Sequence, residues 1–317
     1  MNFKRRILVT GCAGAIGKYL VKKLLDTSED YYIYGVDTKK EIDILINSKF
    51  LYQSNRFTPL SIDLMNDLEV KNLPEVDFVY HLAAINGTAL FYSTPWSVYV
   101  NSIIPTINLI NYYKDKNLTR FIYTSSSEVY ASLSDLGINK IPTTENAVVG
   151  FSDITNPRWS YGGAKLSGEV ALIAASNQLN LDFSIIRYHN VYGKNMGINH
   201  VIPDFINRGK NNIFELNGAD NIRSFIYIDD AIDATILVAN SGKAKNKIVN
   251  IGSSEVISMR DLGAKIMNLF GWKGKITEYP APVGSTLRRC PDINFLINDL
   301  KFELKFDLNL GLSQLID

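Results

Sequence analysis

The sequence predicts a doubly wound α/β fold: a parallel sheet of about seven strands flanked by helices, interleaved with a smaller C-terminal lobe. Three observations carry this prediction. Short apolar runs alternate with amphipathic segments of helical period from the N-terminus to residue 187. A glycine-rich turn, Thr10-Gly11-Cys12-Ala13-Gly14-Ala15-Ile16-Gly17, stands directly between the first apolar run and the first helical pattern. After Arg187 the alternation breaks into an asparagine-rich segment punctuated by Gly193, Gly197, Pro203, Gly209 and Gly218.

Taken in order, residues 6–9, 31–36, 57–62, 78–81, 121–124 and 183–187 read as buried strands, being short runs of β-branched, aromatic and aliphatic residues bounded by turn formers. Residues 16–26, 97–114 and 161–177 repeat their apolar positions at three and four, which makes them helices. Residues 225–228 and 248–251 read as short strands again, so the chain returns to the first lobe. The expected division is 1–187 plus 224–251 for the sheet domain and 188–223 plus 252–317 for the second lobe.

A chain of 317 residues, 46% of them apolar, can bury a substantial core, which excludes disordered and fibrous classes. Its formal charge of +1 comes from interspersed acids and bases, with no footprint for nucleic acid or an anionic membrane. Any anionic ligand must therefore be met by local residues. Cys12 and Cys290 are too few for a disulfide framework, and a reducing cytoplasm fits them best. The basic triplet Lys4-Arg5-Arg6 precedes an apolar run, Ile7-Leu8-Val9, far too short for a signal core or a membrane span. No metal site is expected.

A strand, a glycine turn and a helix in succession form an anion cradle. Glycines let the backbone turn tightly and approach a pyrophosphate at a helix N-terminus, where unpaired N–H groups and the dipole favour negative charge. Gly11, Gly14, Ala15, Ile16 and Gly17 would form it, and Asp37 ends the next strand, where an acid accepts hydrogen bonds from ribose hydroxyls and repels a 2′-phosphate. The Rossmann arrangement and NAD follow, although Lys39 and Lys40 stand close enough in sequence to reach a phosphate.

Tyr161-Gly162-Gly163-Ala164-Lys165 supplies the proton chemistry that hydride transfer needs. Tyrosine ionises far above neutral pH, so its use as a base requires a nearby cation and a hydrogen bond. Lys165 follows Tyr161 by one helical turn and shares its face, and Ser126, at the end of a strand, can hydrogen-bond a substrate oxygen. His81 and His189 read as core histidines.

At these residues the sequence resembles the extended short-chain dehydrogenase/reductase family, specifically its nucleotide-sugar epimerases and dehydratases. The resemblance covers essentially the whole chain. It rests on the glycine spacing, Asp63-Leu64, His81-Leu82-Ala83-Ala84, Thr124-Ser125-Ser126-Ser127-Glu128-Val129-Tyr130, the Tyr-Lys pair and Arg187-Tyr188-His189-Asn190-Val191-Tyr192-Gly193. It continues through Arg223-Ser224-Phe225, Asn250-Ile251-Gly252 and Arg288-Arg289-Cys290-Pro291-Asp292.

The resemblance implies that Ser126, Tyr161 and Lys165 form a catalytic triad and that Asp63 and Leu64 contact adenine. It places Leu82, Ala83, Ala84, Asn101, Thr124, Tyr188, Asn190 and Val191 about the cofactor. It sets Ser127, Asn190, His200 and Val201 at the substrate, and pairs Arg223 and Arg289 with its diphosphate. A homodimer built on the helices of residues 97–114 and 161–177 is implied as well.

Members of this family begin alike, oxidising sugar C4 to a ketone that acidifies C3 and C5. The dehydratases resembled here carry an Asp-Glu pair where this chain has Ser127-Glu128; decarboxylases carry Ser-Glu, but with an acidic version of the Tyr-Lys segment. The later segments are more similar to GDP-mannose 3,5-epimerases, which have a cysteine in place of Glu128 and a lysine in place of His200. Glu128 and His200 are accordingly expected to flank a 4-keto intermediate and to move protons at C3 or C5. Alternatively, His200 only hydrogen-bonds a phosphate or hydroxyl. A non-catalytic NAD sensor is the remaining reading, and it would not need Ser126, Tyr161 and Lys165 together.

Overall fold

In the computed structural model, which describes residues 3–48, 54–197 and 200–316, the expected sheet is present. Its strands are β1 (Arg5–Thr10), β2 (Tyr31–Asp37), β3 (Phe57–Ser61), β4 (Phe78–His81), β5 (Arg120–Ser126), β6 (Phe183–Tyr188) and a seventh, Lys247–Ile251. All seven pair in parallel, with the seventh strand at one edge followed by β6, β5, β4, β1, β2 and β3. The order reverses between β1 and β4, which opens a crevice at the carboxyl ends of these strands. Thr10 and His81 close their last register there, with Thr10 Oγ1 2.7 Å from His81 Nδ1.

β4 and β6 are buried along their whole length, as helices on both faces require of a parallel sheet. Helix α1 (Ala15–Thr27) lays Leu20, Val21, Leu24 and Leu25 on one face, and helix Pro95–Tyr113 packs beside helix Ser160–Leu179 on the other. A single apolar cluster joins Val9 and Leu24 to Phe205, Leu216 and Leu312, so the second lobe shares the core of the first.

Gly168 permits the close seating of helix Ser160–Leu179 on β5. A Cβ there would fall 2.2 Å from Tyr123 Oη. Gly168→Ala should destabilise the protein by about 1–3 kcal/mol, the usual cost of overpacking, read as a drop in the denaturant midpoint at constant slope.

The second lobe is more regular than its sequence suggests. Outside the seven-stranded sheet, the described residues form helices Val201–Gly209 and Met259–Leu269 and three two-stranded ribbons: Ile222–Ser224 with Val256–Ser258, Glu215–Asn217 with Thr277–Tyr279, and Val191–Tyr192 with Ile226–Tyr227, the last pairing a segment expected in the second lobe with one expected in the sheet domain. The strand expected through residue 228 ends at Tyr227, because Ile228 opens a helix, Ile228–Asn240, with Asp229 and Asp230 in its first turn. The non-buried residues of that helix, Asp229, Asp233, Ile236, Leu237 and Asn240, recur at three and four and form one stripe.

Candidate active site

The glycine turn is shaped by close contacts. Gly11 has φ +68°, and a Cβ on it would fall 2.9 Å from Ala83 N; a Cβ on Gly17 would fall 2.0 Å from the Gly11 carbonyl. Gly14 caps α1 without a side-chain hydrogen bond, and no acid stands in the first turn, so the helix presents bare N–H groups to the crevice. This cradle fits a dinucleotide pyrophosphate.

Asp37 lies beside it. Its Oδ2 accepts from Ala13 N at 3.0 Å and its Oδ1 from Thr38 N at 2.9 Å. Burial, foremost, raises the carboxyl above its ordinary value, and the other charge acting on it is the negative one of Glu41. Lys39 and Lys40 are exposed and do not line the crevice, whereas Asp37 and Glu41 do. Asp37→Asn should narrow the preference for NAD over NADP by roughly tenfold, the worth of one charge-assisted hydrogen bond, measured as the ratio of the two dissociation constants.

Across the crevice, β5 delivers Ser126, whose Oγ accepts from Glu128 N at 3.3 Å and caps the turn Ser127–Val129. Tyr161 and Lys165 sit in the first turns of helix Ser160–Leu179. The Tyr161 ring stacks on Phe91 with centroids 5.2 Å apart, and Lys165 Nζ lies 5.7 Å from the Tyr161 centroid and 5.0 Å from that of Tyr123. Burial lowers the Lys165 amine to about 7. Burial, then the Glu128 charge, pushes the Tyr161 hydroxyl well up. Gly162 lets the two segments meet: a Cβ on it would lie 3.2 Å from the Glu128 carbonyl.

Glu128 is itself clamped. Arg158 Nη2 lies 3.0 and 3.3 Å from its two carboxylate oxygens, and Arg289 Nη1 lies 2.8 Å from Oε1. Burial is the largest influence and raises the carboxyl, but Arg289, Arg158 and Arg223 together outweigh it, so the group is held below its ordinary value and stays ionised. Arg289 is also anchored through Nε on Thr286 Oγ1 at 2.8 Å. Behind this layer Glu169 binds Arg187 through both oxygens, at 2.9 and 2.7 Å, and accepts from Ser125 Oγ at 2.5 Å, which fixes β5 to the helix.

Apart from Arg223, every residue expected to touch cofactor or substrate lines a single cleft of about 850 Å³. Arg223 turns away and donates to the carbonyls of Ile222, Thr286 and Leu287, clamping the segment that leads to Arg289. Of the two arginines expected at the diphosphate, Arg289 lines the cleft and Arg223 does not. His200 stands at the N-terminus of helix Val201–Gly209, half-buried, and burial lowers its imidazole so that it is neutral. His81 is fully buried between Thr10 and Thr106, and His189 bonds Tyr130 Oη, so both are core histidines as expected.

Arg158 escaped sequence reasoning. Its only signal was its place three residues before Tyr161, and nothing in the linear pattern pairs it with a glutamate 30 positions earlier. Among the described residues no three His, Cys, Asp or Glu side chains are placed to hold a metal ion, and no helix is long and apolar enough to cross a membrane.

The model of the NAD dependent epimerase/dehydratase family matches residues 7–252. The chain is 28% identical to a putative UDP-glucose 4-epimerase of Methanocaldococcus jannaschii, over 98% of this chain and 97% of that protein. It is 27% identical to a UDP-N-acetyl-alpha-D-glucosaminuronate decarboxylase of Bacillus cytotoxicus, over 99% and 97% of the two chains. Among solved structures, the UDP-glucuronic acid 4-epimerase of Bacillus cereus in complex with UDP-glucuronic acid and NAD is similar at a TM-score of 0.84 and 25% identity, covering 98% of this chain and 97% of that one.

Proposed function

Because the chain belongs to the NAD-dependent epimerase/dehydratase family, we propose that it is a nucleotide-diphosphate-sugar epimerase working through a 4-keto intermediate. The observation that carries this reading is the gathering of Ser126, Glu128, Tyr161 and Lys165 in the cleft that begins at the glycine cradle. NAD, when bound, supplies the hydride acceptor that oxidises C4 and later returns the hydride.

Tyr161 takes the proton of the C4 hydroxyl, and Ser126 donates a hydrogen bond to the same oxygen. Lys165 stabilises the phenolate, which burial and Glu128 otherwise disfavour. Glu128 then removes a proton from C3 or C5. The clamp keeps Glu128 ionised, so that it can accept a proton and not donate one, while lowering its strength as a base. His200, neutral, hydrogen-bonds the water or hydroxyl through which a proton returns. Arg289 receives the diphosphate, while Ser127, Asn190 and Val201 contact the rest of the substrate. Arg158 and Arg289 bring two positive charges to the single carboxylate of Glu128, and the excess suits an anionic substrate.

A second reading, decarboxylation of a uronic acid, draws support from the same ionisation states. An ionised Glu128 and a neutral His200 provide no strong acid, whereas loss of carbon dioxide beside a ketone generates its carbanion without a base. Dehydration is less supported, since the departing hydroxyl needs an acid and Ser127 offers only a buried hydroxyl.

The test is mass spectrometry of products after incubation in D₂O with GDP-, UDP-, CDP- and dTDP-sugars, including a uronic acid and 4-keto sugars. Deuterium gained at carbon with no fragment lost is the expected result. Loss of carbon dioxide would establish the second reading, and loss of water would overturn both.

A further inference from the structure

Glu128 has two guanidinium partners that differ in access. Arg289 lines the cleft, so an entering anion meets it; Arg158 does not line it and is 6% exposed. Arg158 is also rigidly mounted. It sits in the turn Pro157–Trp159, which Asn156 caps by accepting from Arg158 N at 3.0 Å, and its guanidinium lies 5.4 Å from the Trp159 ring. Its stem packs where Gly284, at φ +82°, leaves room, since a Cβ there would fall 3.2 Å from Arg158 Cδ.

Arg158 Nε is buried and has no hydrogen-bond partner among the described residues, so the bonds to Glu128 are the principal compensation for this charge. A buried guanidinium deprived of its carboxylate is strongly unfavourable, and the pair therefore resists separation. Arg289 has an alternative anchor in Thr286 and can exchange one anion for another.

We propose that Arg158 is the positioning residue that keeps Glu128 ionised and aimed into the cleft when an anionic substrate draws Arg289 away. The exchange is needed because a diphosphate and a carboxylate compete for the same Arg289 guanidinium. Without Arg158, a Glu128 that lost Arg289 would be a buried acid facing only Arg223, turned onto carbonyls, and the neutral Tyr161 hydroxyl. It would take up a proton and cease to be a base.

This inference rests on the reading of Glu128 as the base, but it is tested by a different quantity. The NAD-loaded protein is titrated calorimetrically at about pH 7.5, where a nucleoside diphosphate is fully ionised, with UDP, GDP, CDP and dTDP in buffers of different ionisation heat. The wild type should bind one of them with a proton uptake that sets the baseline, since the Lys165 amine at about 7 lines the same cleft. Arg158→Met should exceed that baseline by up to about one proton, and Arg158→Met/Glu128→Gln should return to it. Arg158→Lys should largely restore the wild-type result. Should Arg158→Met fail to fold, Arg158→Gln carries the same comparison.

Absence of any excess over the wild type in the single variant, persistence of that excess in the double variant, or failure of all four diphosphates to bind would overturn the proposal. Deuterium incorporation that survives Glu128→Gln would instead overturn the reading of Glu128 as the base, whatever the proton count.

Discussion

Tyr161→Phe should lower kcat by roughly 10²–10⁴, the range for loss of a positioned acid–base group, while NAD titrates with nearly unchanged affinity. The substitution removes only the hydroxyl. The ring keeps its stack on Phe91 and its place beside Lys165 Nζ, so the cleft wall is preserved and the loss reports proton transfer. Single-turnover reduction of NAD by substrate, followed by absorbance, isolates the step at C4. Unimpaired reduction in the variant would remove Tyr161 from the mechanism.

Its partner has a pH signature. The Lys165 amine is lowered from 10.5 to about 7, so between those values the unfolded chain binds the proton that the folded chain does not. Stability of the cofactor-free protein therefore rises with pH through that window, and below it the cost of burying the charge is constant. Lys165→Met should flatten this rise in a series of thermal melts, even as it removes the cation that the phenolate of Tyr161 needs.

The first half of the site was legible because its signals are local. The turn at Gly11, Gly14 and Gly17, Asp37 at the end of β2, and the spacing of Tyr161 and Lys165 each express chemistry within one or two turns of chain, and the structure brings them to one cleft. The second half depends on contacts between distant segments. Arg158 and Arg289 converge on Glu128 from different loops, and Arg223 turns from the cleft because carbonyls of residues 286 and 287 happen to lie within its reach. No periodicity encodes such pairings. Helix Ile228–Asn240 follows directly on the strand Ile226–Tyr227, so its first apolar residue reads as the end of that strand, although Asp229, Asp233 and Asn240 mark a helical stripe.

Glu128→Gln separates what this residue does for chemistry from what it does for the fold. Deuterium incorporation at the sugar carbons should disappear while NAD reduction at C4 continues, because the amide cannot accept the carbon-bound proton and the group proposed to act at C4 is Tyr161. The same substitution removes the counter-charge of Arg158 and Arg289, both buried, and breaking such a pair from one side costs about 3–5 kcal/mol. The pH dependence fixes the sign. Glu128 is held below its ordinary value of 4.5, so its contribution is complete above that value and lost as pH falls through the lower folded one. The melting temperatures of variant and wild type should thus differ most at neutral pH and converge in acid. A constant gap across this range would mean that the arginines are balanced by something other than the Glu128 charge. Replacing Arg289 as well should then recover part of the loss at neutral pH, since one uncompensated guanidinium leaves the buried layer with the carboxylate it was paired to.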